Sequence, residues 1–206
     1  VSAVFSFRGH AAATAMWVGS LLYIVYTFVI YCFSVRFNVL FISYCLILGL
    51  SFYALLWFFT SWKYDERPLR GTGVARTVGV YFMIIAVLFS ALWLADIIPA
   101  NLRNEIPSTL LDAGLYTNPV HVLDLALFLP ATFIVGRKAL ALQPIARLLM
   151  PAFLMFFILM DITIASLSLI MNNRDAGGSL VVAGAMTVLA LFTTFLLVLI
   201  AQKELT

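Results

Sequence analysis

His121 and Asp124 stand three residues apart in "YTNPVHVLDLALFLP" (116–130), just inside a strongly apolar stretch. At that spacing an imidazole and a carboxylate share one face of a helix. Such a pair can exchange a proton, hold a polar ligand, or mark the start of a helix. Asp161, in "FILMDITIAS", has apolar neighbours and no nearby basic residue. At membrane depth it must be neutral, paired across helices, or facing water. Arg103 and His121 are its candidate partners, and an interhelical hydrogen-bond peg is the plainer alternative to a proton-accepting or ligand-binding role. Asp96, in "LWLADIIPANLR", sits nearer an interface and suits a local pair with Arg103 or a loop cap. Asn38 caps the first hairpin, and Tyr23 and Tyr26 share a face that could line a pocket or pack, since buried phenols need partners.

Chemistry beyond this set is sparse. There is no G-x-S-x-G, H-E-x-x-H, P-loop or C-x-x-C pattern, so no catalytic residue is assigned. The cysteines, Cys32 and Cys45, both lie in apolar runs and read as small buried hydrophobes. No metal-ligand spacing exists. The two histidines, His10 and His121, fall on opposite sides of the expected topology, which argues against a bis-His haem, and His10 reads as interfacial. Lys63, Lys138 and Lys203 all lie at span ends or in loops, which excludes an intramembrane Schiff base. Nothing points to a nucleic-acid partner, and no cofactor is indicated.

The elements that position these groups follow from composition. Hydrophobic residues are 64% and charged residues 10% of the chain, against about 45–50% and about 25% in an average soluble domain. A soluble fold of this size could not hide so much apolar surface, so lipid is the solvent. A crossing helix needs about 20 apolar residues. Six stretches meet or approach this, at about 11–33, 38–61, 77–98, 119–136, 147–171 and 179–201. The expected fold is an all-α, polytopic transmembrane bundle forming one domain. Residues 99–118 read as a long connection. Pro130 bends the short fourth span, where neighbouring helices can absorb a kink. Asn118 and Pro119 suit its N-cap and first turn, which gives Asp124 a plain reason to sit near the positive end of a helix dipole. Trp17, Trp57, Trp62 and Trp93 suit an interfacial belt, and "AAATA" (11–15) and "GSLVVAGA" (178–185) suit close helix packing.

Charge sets the expected orientation. The side holding residue 10 receives Arg8, Lys63, Arg67, Arg70, Arg76, Arg137, Lys138, Arg147 and Lys203, while the other receives Arg36, Arg103 and Arg174. By the positive-inside rule the first side, with both ends of this chain, is cytoplasmic. Asp96, His121, Asp124 and Asp161 then all lie towards the extracytoplasmic face. The chain begins with Val and shows no leader pattern, which reads as a processed or truncated chain.

The segments "FRGHAAATAMWVGSLLYIVYTFVIYCF", "RFNVLFISYCLILGLSFYAL", "ALWLADIIPA" and "NPVHVLDLALFLPA" resemble a group of small bacterial polytopic integral membrane proteins whose function is uncharacterised. The resemblance covers roughly residues 7–135. It implies further helices upstream, with a W-R-G-N-D-like motif that this sequence lacks, so that the chain would be a C-terminal portion. It puts emphasis on Asn38, Asp96, His121 and Asp124 and supplies no mechanism. The functional expectation is a non-enzymatic ligand-binding or transporter-like subunit, or an accessory subunit among other membrane subunits, in the bacterial inner membrane. The alternatives are an enzyme or proton-coupled carrier using Asp161, Asp124 and His121 as acid–base groups, and a scaffold for pigments, lipids or partner helices.

Overall fold

The computed structural model describes residues 11–62, 69–107, 110–111 and 114–204. Arg8, His10, Lys63 and Arg67 lie outside them. Six helices carry the fold: α1 (Ala11–Ser34), α2 (Phe41–Ser61), α3 (Thr72–Arg103), α4 (Pro119–Leu140), α5 (Ala146–Asn173) and α6 (Leu180–Glu204). Each is long and apolar enough to cross a membrane, and no strand occurs among the described residues. The protein is an all-α integral membrane bundle. Its outward residues are those a lipid solvent allows, with Leu50, Ile42, Val181 and Val188 all exposed.

Helix α5 is the centre. It packs on α6 and α1 and touches α3 and α4; α3 packs chiefly on α4, and α2 packs on α1. The main core joins α3 to α6 through Phe82, Val135, Met150, Phe153, Leu154, Leu196 and Ile200. Two close backbone approaches set the spacing. A Cβ on Gly136 would come within 2.8 Å of the Gly79 carbonyl oxygen, and one on Gly79 within 2.8 Å of the Gly136 oxygen. On Gly19 it would meet the Ala152 carbonyl at 2.3 Å. Gly178, at the start of "GSLVVAGA", likewise abuts the Ser168 carbonyl of α5, so close glycine approaches bring these helices together. Within that stretch Ala183 is buried, yet Gly184 faces open space.

One end of the bundle is clasped by Glu204. It accepts the Gly71 backbone N–H at the start of α3 and the Arg147 Nε–H of α5 at 3.4 Å. The opposite end, here called the Asn118 end, carries the caps. Asn104 adopts a left-handed backbone (φ 55°) and closes α3 with bonds back to Ala100 and Asn101. Asn38 accepts the Leu40 N–H at 2.9 Å and donates to the Arg36 carbonyl at 3.0 Å, so its side chain is spent on the turn before α2.

Several sequence expectations need correction. Helix α3 runs five residues beyond 98, through Pro99 to Arg103, so "PANLR" is helix and not connection. Helix α4 runs to Leu140. Its irregularity is a π turn over Asp124–Phe128, in which the Leu129 N–H reaches the Asp124 carbonyl. Pro130 follows and has no N–H to give, which favours a local break from the regular ladder. Cys45 is exposed and Cys32 only half-buried, so neither is a buried hydrophobe; the two thiols lie near one another across α1 and α2.

Candidate functional site: an aromatic-clamped carboxylate beside a cavity

The Asn118 side chain caps α4 by accepting the Val120 and His121 N–H groups at 3.0 and 3.4 Å, with Pro119 in the first turn. That start places His121 and Asp124 on the face turned towards α1 and α3. Both Asp124 oxygens are occupied. Oδ1 accepts the Tyr26 hydroxyl of α1 at 3.0 Å, and Oδ2 accepts the Trp93 indole N–H of α3 at 2.8 Å. The His121 ring lies against the Trp93 indole, centroids 4.6 Å apart at 36°. It is within electrostatic reach of Asp124 but not hydrogen-bonded to it.

The clamp is itself held by aromatic packing. Tyr26 is 1% exposed and stands edge-on to Phe128 and Phe156, at 4.9 and 5.7 Å. Those two rings stack at 4.7 Å and 11°. Such geometry adds about 0.5–1.5 kcal/mol per pair beyond area burial. It also fixes the phenol that orients the carboxylate.

On its other side His121 borders an open cleft of about 280 Å³ between the ends of α3 and α4. Asp96, Asn101, Glu105 and Asn118 supply its polar lining, and Ile97, Ala100 and Pro107 supply apolar walls. A second, wider cleft of about 820 Å³ lies between the end of α1 and the residues before α4, with Arg36 and Ser34 on its rim. Tyr116, Thr117 and Val122 line both spaces.

The sequence candidates therefore divide. His121 and Asp124 meet through Trp93, Tyr26 joins them, and Asp96 shares the cavity with His121. Arg103 is exposed at the last turn of α3 and makes no ion pair with Asp96. A cation there complements the helix dipole. Tyr23 instead pairs with Thr163 of α5 at 2.7 Å, and Asn38 stays with its turn. Asp161 is buried, 7% exposed, but touches neither Arg103 nor His121. The ionisable neighbour within its electrostatic reach is Tyr81 of α3.

Trp93 is the residue sequence reasoning misplaced. As a belt tryptophan it would need no partner inside the bundle, whereas here its N–H is a principal support of Asp124. The available signal was "LWLAD", which sets Trp93 one turn from Asp96. Among the described residues no group of three or more His, Cys, Asp or Glu side chains could hold a metal ion.

Fold and site define a class: an all-helical membrane bundle with a fixed carboxylate beside a mainly apolar cleft at one end. No protein-family model, curated protein or solved structure matches the chain.

Proposed function

We propose that this protein is a non-enzymatic, small-molecule-binding membrane subunit, transporter-like or accessory to a larger membrane complex. The observation that carries the reading is the cavity beside His121, which combines apolar walls with Asp96, Glu105 and two asparagines. Binding sites take this form, with largely apolar walls and a few placed polar groups. The lining carboxylates favour an organic cation or a ligand rich in hydrogen-bond donors. Asp124 has both oxygens engaged and no hydrogen bond to His121, which suits a positioning role more than acid–base chemistry.

The cavity opens to the extracytoplasmic side of a bacterial inner membrane in this reading, with Ala11 and Glu204 at the cytoplasmic side. Support comes from charge. Arg70, Arg76, Arg137, Lys138, Arg147 and Lys203 stand at the Glu204 end, against Arg36, Arg103 and Arg174 at the Asn118 end.

A thermal-stability screen tests the binding claim. Wild-type protein in lipid nanodiscs is predicted to be stabilised saturably by an organic amine or zwitterion, and the Asp96→Asn/Glu105→Gln variant is not. Equal stabilisation of both proteins by every active compound would contradict it.

A further inference from the structure

We propose a second site, deeper in the bundle and independent of the cavity: Asp161, with Tyr81 and Thr193, holds an exchangeable proton between α3, α5 and α6. Asp161 is 7% exposed, in a helix with no other ionisable residue after Arg147. It makes no hydrogen bond with any described residue, although a carboxylate pegging helices together would be bonded across an interface. Its carboxyl oxygens are not wholly enclosed by protein and keep an edge on the space beside them. A bare charge there is costly. A proton taken from, and returned to, water in that space removes the charge without any other partner.

The neighbours suit a proton. The Tyr81 hydroxyl lies within electrostatic reach of Asp161 and pairs with Thr193 Oγ1 at 2.6 Å. Thr132, Thr163, Thr187 and Thr194 donate to carbonyls four residues back; Thr193 pairs across the helices without such a bond. Each hydroxyl brings one proton and their mutual bond uses one, so the other remains to be donated. A metal ion fits less well. Helices α3, α5 and α6 run unbroken past these residues, so their carbonyls stay in the helical ladder, whereas intramembrane cation sites draw on unwound backbone. Of the other titratable groups on the packed elements, Arg76 and Arg103 stand near the two ends of α3, and Asp96 and His121 line the cleft at the Asn118 end. Tyr23 bonds Thr163, Tyr26 and Asp124 bond one another, and α6 has no ionisable residue between Leu180 and Gln202.

Infrared spectroscopy of the full chain in lipid bilayers tests this. A carboxylic-acid C=O band that comes and goes with pH is expected. It should shift in D2O, persist in Asp124→Asn and Asp96→Asn, and vanish in Asp161→Asn. Tyr81→Phe should move its midpoint, and replacing Na⁺ by choline should not. A band surviving Asp161→Asn, a band that never titrates, or competition by Na⁺ would each overturn the assignment. Should Asp161→Asn fail to fold, wild-type protein treated with a lipophilic carbodiimide should carry the adduct on the Asp161 peptide; an unmodified peptide overturns it equally.

Discussion

Trp93 and Asp124 are joined at 2.8 Å across two helices, and a pair of glycines far from either residue sets that meeting. Gly79 and Gly136 back onto one another between α3 and α4. From that crossing Trp93 lies fourteen residues along α3 and Asp124 twelve residues along α4 in the opposite chain direction. At about 1.5 Å per residue these are about 21 and about 18 Å, close to the same level. The π turn that opens on Asp124 then adjusts the facing of the helix start.

The clamp should therefore be energetically coupled. Trp93→Phe removes the indole donor and Tyr26→Phe the phenol donor, and each is predicted to cost about 1–3 kcal/mol. The double variant should depart from additivity by at least about 0.5 kcal/mol, because both donors serve one carboxylate. Asp124→Asn should cost more than either single change, since its amide N–H₂ would face a donor. Unfolding in mixed micelles by titration with sodium dodecyl sulfate measures all four, and strict additivity would contradict the shared acceptor.

Gly136→Ala should force α3 and α4 apart, because its Cβ would press on the Gly79 carbonyl at 2.8 Å. Overpacking of this kind costs about 1–3 kcal/mol. Gly184→Ala meets nothing within 4 Å and should be neutral or slightly stabilising. The same unfolding assay reads both. The Gly136 variant should also weaken the ligand response, since it disturbs the register that sets Trp93 against Asp124.

Glu204 should be a stability residue with no part in binding. Its side chain is fully buried, its partner Arg147 is 12% exposed, and it also takes the Gly71 N–H. Breaking a buried pair by removing one partner costs about 3–5 kcal/mol. Glu204→Ala should approach that range, while Glu204→Gln keeps an acceptor for Gly71 and should lose less. Melting temperatures of the two variants would show the order, and equal losses would contradict the role of the Gly71 bond.

Cys32 and Cys45 should cross-link within one chain. Their thiols are neighbours between α1 and α2. Mild oxidation with copper phenanthroline should remove both from alkylation and join their two peptides in a mass spectrum. Cross-linking only between chains would contradict the α1–α2 packing.

The six helices were legible because length and hydropathy are local properties of a segment. The extent of α3 was not. "PANLR" looks like a loop by polarity, yet Pro99 is tolerated inside the helix and the left-handed Asn104 ends it five residues later. The cap at Asn118 was legible for the same local reason as the spans. The clamp was only half legible. His121 and Asp124 share a face by spacing alone, but the Trp93 partner depends on a register fixed by a glycine contact. Asp161 was legible as costly; its surroundings were not. It lies within electrostatic reach of Tyr81, while Arg103 and His121 lie at the Asn118 end.

The central claim is that the cavity beside His121 holds a small molecule. Native mass spectrometry of the protein, drawn into nanodiscs directly from its own membranes, tests it most directly. Wild-type protein is predicted to carry a small molecule that is depleted in an Asp96→Asn/His121→Ala variant with an unchanged helical circular-dichroism spectrum. The same bound molecules in equal amount on both proteins would contradict the claim.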